Sequence, residues 1–255
     1  MLPAERRQFI LDELYRNKAV AVNELAQQLD VTPMTIRRDL QLLEENGLVE
    51  KSHGGAILTE SLVKEATYHN RKLVHIEEKQ RMAEAALPLI ESSMSLYIDA
   101  GTTNYELAVV MAKRPWDDLT VVTNDLAIAQ VLTSVSGIEV IMLGGHIDAE
   151  SDSSCGVFAT HMVKQMHFDI SFLGTQAITP DWRIMTANSE KIDVKRACVA
   201  ASDKNILLAD HSKFKKHKLY YIFDMWLLDM VISDYCAEAA EQQLFEEHQI
   251  TFIHV

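Results

Sequence analysis

Cysteine is scarce: three in 255 residues, at Cys155, Cys198 and Cys236, with no CxxC pair. So small and scattered a set excludes a disulfide framework and a zinc ribbon, and it predicts a reduced protein with incidental buried thiols. No run of about 18 uncharged apolar residues occurs, so no membrane-spanning helix and no membrane partner are expected. The opening MLPAERRQFI has no apolar core and is not read as a signal peptide, which makes the cytoplasm the expected location. A GK[ST] loop and a GxGxxG fingerprint are both missing, so no nucleotide cofactor is expected. His146, His161 and His167 show no metal spacing, and Met142, Met162 and Met166 read as core filler, so no metal is assigned.

Cations are in short supply as well, with a net charge of -13. That balance argues against non-specific wrapping of nucleic acid, where phosphate neutralisation supplies most of the affinity. The deficit is uneven. Residues 1–58 hold seven Lys and Arg against nine Asp and Glu, whereas residues 59–255 hold 17 against 28. A hydrophobic content of 48% with 24% charged residues describes an ordinary globular chain whose two parts differ in character.

In the first part, VTPMTIRRDL places a good N-cap, Thr32, before Pro33 at the first helical position, and Gly47 is a natural stop. The bounded helix, 33–46, turns Ile36, Leu40 and Leu43 to one side at about 100° per residue. Met34, Thr35, Arg38 and Gln41 fall opposite. Arg37 lies on the flank, placed for a phosphate or for an ion pair with Asp39. Upstream, Glu5–Arg16 carries Phe9, Ile10, Leu11 and Leu14 at helical spacing, and Val22–Leu29 forms a second helix burying Leu25, Ala26 and Leu29. Two helices, a short turn and an outward-facing helix make a helix-turn-helix, whose last helix enters the major groove. Two short strands, LVEKS and AIL, flank His53-Gly54-Gly55 as a wing, its glycines supplying positive φ.

The run from Glu5 to Leu58, above all VTPMTIRRDLQLLEENGLVEKSHGGAI, resembles the winged-helix region of the DeoR family of bacterial transcriptional regulators. It follows that family's S-x-x-T-I-R-R-D-L … L-x-x-x-G … H-G-G-A signature. The resemblance implies DNA contacts at Thr32, Thr35, Arg37 and Arg38, with Lys51 and His53 near the backbone at the wing. One departure is Ala21, where relatives often carry a hydroxyl N-cap. So few cations imply that affinity for a double-stranded operator is combined across a homo-oligomer, at least a dimer. A small helical subdomain for protein contact is the competing reading.

The domain plan is 1–58 winged helix-turn-helix, 59–74 linker and 75–255 α/β domain. The linker stretch ESLVKEATYHNRK is polar and partly helical. From His75, IEEKQRMAEAALPLIESS reads as an amphipathic helix with Ile76, Met82, Ala86 and Leu89 inward and a kink at Pro88. Arg71 and Lys79 are expected on the solvated surface.

Beyond it, SLYIDA, TVVTN, IEVIML, DISFLG, NILLAD and MVISD alternate with helical stretches near 104–113, 125–133 and 189–202. This is the pattern of a mainly parallel sheet, in which ligands bind at the carboxyl ends of strands. Polar residues cluster at those ends: Asp99-Ala100-Gly101-Thr102-Thr103, Thr123-Asn124, Gly144-Gly145, Gly174-Thr175-Gln176 and Asp210-His211-Ser212-Lys213. DAGTTN, between strand and helix, suits an anion: Gly101 lets the backbone approach, the threonine hydroxyls donate, and the helix N-terminus offers free N–H groups.

The block from about Ser95 to Asp234, with DAGTT, VVTN, LGG, LADHSKF and VISD in order, resembles the DeoR effector-sensing domain, similar in fold to ribose-5-phosphate isomerase. The resemblance implies a phosphorylated sugar, with Gly101, Thr102 and Thr103 on its phosphate and Lys213 adding charge. Asp99, Asn124 and Asp210 would bond sugar hydroxyls. Glu190, Lys191 and Lys195 are weaker candidates for the pocket rim, Lys195 being expected as an exposed helix residue. FLGTQAI departs from the pattern, because Gln176 and Ala177 stand where an isomerase needs a general base. The expectation is therefore a transcriptional repressor of a carbohydrate operon, released from DNA by a phosphorylated sugar, and not an enzyme. The alternative is a sugar-phosphate isomerase with a nucleic-acid-binding appendage.

Overall fold

The computed structural model describes residues 2–17, 19–45, 48–58, 62 and 67–255. The chain divides into two compact units, Met1–Val74 and His75–Val255. The first contains α1 (Pro3–Asn17), β1 (Ala19–Ala21), α2 (Val22–Gln28), α3 (Pro33–Glu45), β2 (Val49–Ser52), β3 (Gly55–Leu58) and α4 (Tyr68–Lys72). Its three-stranded antiparallel sheet runs in the order β1-β3-β2. Ile36, Leu40 and Leu43 are buried with Ile10, Leu14 and Leu25 in one core. The anticipated stop at Gly47 lies outside the described residues. Ala21 is the N-cap of α2 and makes no side-chain cap bond. Between α2 and α3, Asp30 adopts a left-handed φ of 50°, a conformation short polar side chains tolerate better than most.

The wing forms, but its glycines serve another purpose than the one expected. Neither Gly54 nor Gly55 has a positive φ. A Cβ on Gly55 would lie 1.8 Å from the Val20 carbonyl oxygen, because β1 packs its backbone against β3 with Ala21 opposite Gly55. Close approach, not turn geometry, demands that glycine.

The second unit begins with α5 (Ile76–Ala86) and a 3-10 turn over Leu87–Leu89. It continues with β4 (Ser95–Ile98), α6 (Thr102–Met111), β5 (Leu119–Thr123), α7 (Leu126–Leu132), β6 (Ile138–Met142), β7 (His146–Asp148), β8 (Ser153–Cys155) and α8 (Gly156–Val163). Then come β9 (Phe168–Leu173), β10 (Ala177–Ile178), β11 (Arg183–Thr186), α9 (Glu190–Ala200), β12 (Ser202–Leu208), β13 (Tyr220–Asp224), β14 (Met230–Ser233), α10 (Ala239–Glu247) and β15 (Thr251–His254). Seven strands form one parallel sheet in the order β15-β14-β12-β9-β4-β5-β6. Side chains alternate across it, as the strand period of two requires. Leu96, Ile98, Ile206, Leu208 and Ile232 pack beneath α5, α6 and α7. Tyr97, Leu207 and Val231 pack against α8, α9 and α10 on the other face.

Four expectations need correction. The buried stripe of α5 is Lys79, Met82, Ala83 and Ala86, so Lys79 is its first inward residue while Ile76 is 38% exposed. Lys195 is buried, because the inward stripe of α9 includes it beside Val194 and Cys198. Cys236 is exposed, unlike Cys155 and Cys198. Asp39 is engaged by α1 rather than by Arg37: Arg6 Nε donates to it at 2.5 Å, and Arg7 Nη1 lies at 3.6 Å.

Chain order places the functional crevice. From β4 the chain adds β5 and β6 on one side, then returns to lay β9 on the other side of β4. The carboxyl ends of β4 and β9 are therefore a topological switch point, where adjacent loops diverge and leave room for a ligand.

Candidate functional sites: a reading helix and a strand-end crevice

On α3, Thr32 Oγ1 accepts the Thr35 N–H at 3.3 Å and caps the helix. Thr32, Met34, Arg37 and Arg38 are exposed, and Thr35 is half-buried. Neither arginine has a hydrogen-bond or ion-pair partner among the described residues, so two cations stand free at the end of the helix that a groove would meet first. Gln41 and Lys51 are placed differently. Gln41 donates to Glu45 at 2.8 Å and accepts from Lys51 Nζ, whose ammonium also pairs with Glu44 at 3.0 Å. That network ties the wing to the C-terminal half of the reading helix. His53 is exposed at the wing tip. Asp39, inside the RRDL motif, faces the opposite way and anchors the helix to α1.

At the switch point, Asp99 is 1% exposed. Its Oδ2 accepts the Gly174 N–H at 3.0 Å and pairs with Lys195 Nζ, which also donates to the Gly174 carbonyl at 2.7 Å. Asn104 Nδ2 bridges the carbonyls of Asp99 (2.8 Å) and Phe172 (3.1 Å), stapling β4 to β9. Helix α6 begins at Thr102, and its first helical bond runs from Tyr105 N–H to Gly101 O. The N–H groups of Thr102, Thr103 and Asn104 are unclaimed among the described residues. The hydroxyls of Thr102 and Thr103 have no partner among the described residues either, and a Cβ built on Gly101 meets nothing within 4 Å.

Asn124 is braced where a sugar hydroxyl had been expected. Its Oδ1 accepts from Tyr97 OH and Ala100 N–H, each at 2.9 Å, and its Nδ2 donates to Ser154 O at 3.1 Å. Gln176 Oε1 accepts the Ala187 N–H at 2.6 Å. Gly144 is exposed, and Gly145 has a φ of 150° at a place where a Cβ would meet Cys155 O at 2.7 Å. Asp210 belongs to a separate group at the end of β12, two strands from β4 and so roughly 10 Å away. Burial pushes its carboxyl up, yet Lys213, His75 and Lys79 outweigh that and hold it well below the usual carboxylate range. Its Oδ2 is buried without a hydrogen-bond partner.

One residue of the site, Asp125, escaped the sequence reading, and a second, Lys195, was expected in solvent. Asp125 caps α7 through Ala127 and Ile128 and also accepts the Gly101 N–H at 3.1 Å; an Asp between strand and helix was the available signal. The burial of Lys195 had a signal too, since it shares a helical face with Lys191, Val194 and Cys198.

A winged helix on the same chain as a parallel α/β unit, whose polar residues Asp99, Thr102 and Thr103 gather, largely buried, at the strand ends, is the architecture of a DNA-binding regulator that carries a second, ligand-sized domain. Comparison with known proteins gives the particular family. The model of the DeoR-like helix-turn-helix domain matches residues 6–62, and that of the DeoR C-terminal sensor domain matches residues 74–235. An uncharacterised HTH-type transcriptional regulator of Haemophilus influenzae is 37% identical over 92% of this chain and 90% of its own length. The glycerol-3-phosphate regulon repressor of Escherichia coli is 29% identical over 98% of each chain. Among solved structures, ribose 5-phosphate isomerase A from Neisseria gonorrhoeae aligns with a TM-score of 0.38 and 16% identity, over 53% of this chain and 52% of that one. That likeness is too loose to bear on function. The chain belongs to the DeoR family of helix-turn-helix transcriptional regulators.

Proposed function

We propose that this regulator represses a carbohydrate-metabolism operon and is released from its operator by a phosphorylated sugar. Met34, Thr35, Arg37 and Arg38 meet base edges and phosphates in the major groove, while Lys51 and His53 reach the backbone from the wing. Lys51 exchanges Glu44 for a phosphate on binding. In the sensor unit the phosphate sits over Gly101, on the free N–H groups and hydroxyls of Thr102 and Thr103, where the helix dipole favours an anion. Asp99 and Lys195 form the charged floor of the crevice, and Asp210 with Lys213 meets the far end of a longer ligand. Gly144, Gly145, Gln176 and Asn124 shape its walls. Release requires the sugar to bind the DNA-free state more tightly than the DNA-bound one.

The observation that carries this reading is the unclaimed donor set of Thr102 and Thr103 at the switch point. The protein works in the cytoplasm as a homo-oligomer, because the two arginines that α3 leaves unpartnered are few for phosphate neutralisation and half-sites must combine. It is not an enzyme: Gln176 offers an amide already committed to Ala187, not a general base.

Thermal-shift screening against phosphorylated sugars tests the reading. A ligand at 100 times its Kd stabilises the fold by about 2.7 kcal/mol, a Tm rise of roughly 5–10 °C for a unit this size. The dephosphorylated sugar should give no rise, and Thr102→Val should lose it. An undiminished response in Thr102→Val would place the phosphate elsewhere.

A further inference from the structure

We propose that His146, Cys155 and Glu190 form a binding site for a thiophilic divalent cation of the zinc class, at the end of the β7–β8 hairpin. The three residues come from different parts of the chain and converge through backbone geometry. His146 and Cys155 stand directly opposite each other in the antiparallel register of the hairpin, which fixes their side chains as neighbours. Glu190, in the first turn of α9, reaches both. Its Oε2 lies 3.2 Å from His146 Nδ1 and 3.2 Å from Cys155 Sγ. The three donor atoms all lie within 4.8 Å of one another.

Those separations suit an ion. Tetrahedral zinc, with bonds of about 2.0–2.3 Å, holds its donors roughly 3.3–3.7 Å apart. The donors need only small shifts to admit it. One imidazole, one thiol and one carboxylate select a borderline cation; magnesium and calcium take all-oxygen shells. Cys155 is 1% exposed and forms the floor, while His146 and Glu190 are exposed at the mouth. Three protein ligands leave a fourth position for water or an anion. Two glycines frame the hairpin end: Gly145 with φ 150° and Gly156 with φ 83°, conformations that L side chains rarely adopt. They hold the cross-strand pair in its register. On coordination the Cys155 thiol proton passes to solvent and the thiolate becomes the ligand. The ion then clips the hairpin to α9, the helix whose Lys195 bonds Asp99.

Cobalt(II) is the probe, because its thiolate complexes absorb in the near-ultraviolet and its four-coordinate form absorbs in the visible. Full-length, chelator-treated protein should develop both absorptions at one cobalt per chain and lose them when zinc is added. Cys155→Ser should abolish the thiolate band. Glu190→Gln, a near-isosteric change at an exposed position, should weaken cobalt binding by about 100-fold or more, since even outer-sphere partners are worth 10- to 100-fold. Cys236→Ser removes the exposed thiol and should change nothing. The proposal is overturned by the absence of a band at one equivalent, by a band that Cys155→Ser or Glu190→Gln leaves intact, or by one that Cys236→Ser removes.

Discussion

Replacing Lys195 with alanine should unfold the sensor unit at markedly lower denaturant. The Lys195 and Asp99 side chains are 9% and 2% exposed, so solvent screens their pairing little. Alanine leaves the buried Asp99 carboxyl, among the described residues, with the Gly174 N–H as the remaining partner of its side chain. Breaking a buried pair from one side costs about 3–5 kcal/mol. With a urea m-value of about 2–3 kcal/mol/M, the midpoint should fall by roughly 1–2.5 M. The readout is built in: the tryptophans, Trp116, Trp182 and Trp226, all lie in the second unit. Their fluorescence during urea titration of the full-length protein follows that unit alone. Removing both charges, in Asp99→Asn with Lys195→Met, should recover much of the loss and give a coupling energy of about 1–3 kcal/mol. A midpoint for Lys195→Ala within about 0.3 M of wild type, at an m-value in that range, would mean that Asp99 does not depend on the lysine.

Two further outcomes follow from other sites. Arg38→Ala should weaken operator binding by about 1–3 kcal/mol, or roughly 5- to 150-fold in Kd, with unchanged thermal stability because Arg38 is exposed and unpaired; a loss below twofold in an anisotropy titration would remove it from the interface. His211 accounts for a pH dependence. Its pKa is raised by the hydrogen bond to Asp234, burial opposing, and Asp210 and Glu78 add to the rise. A raised folded pKa stabilises below the unfolded value, about 6.5, and that contribution fades as pH climbs through the folded value. His75, whose ring lies 4.8 Å from that of His211, is lowered by burial and acts in the opposite sense. The stability difference between wild type and His211→Asn should therefore be largest near pH 6 and shrink by pH 8; a flat difference in urea melts would refute the assignment.

Much of this molecule is legible locally. Helix α3 declares itself because its cap, its first-turn proline and its apolar period all lie within fifteen residues. Six parallel strands show as apolar runs because a sheet covered on both faces leaves no polar alternation. Strand β1 is three residues long and β10 only two, too short for any period to register. The fate of Lys195 depends on Asp99, 96 residues earlier; no local pattern distinguishes a lysine that will find a buried carboxylate from one in water. Gly55 was legible as a constraint but not for its reason, since the close approach of β1 becomes visible only when the strands pair. The convergence of His146, Cys155 and Glu190 escaped notice for the same cause. Their spacing matches no short metal motif, and only the hairpin register brings them together.

In the function proposed, an anionic metabolite at Thr102 and Thr103 controls the grip of α3 on DNA. Fluorescence anisotropy of a labelled fragment of the operon's own promoter, titrated with protein in the presence and absence of the phosphorylated sugar that gives a thermal shift, tests it directly. Wild type should lose about fivefold or more in DNA affinity when the sugar is added, and Thr102→Val should bind the fragment as wild type does yet ignore the sugar. Equal loss of affinity in the two proteins, or no change in either, would contradict the account.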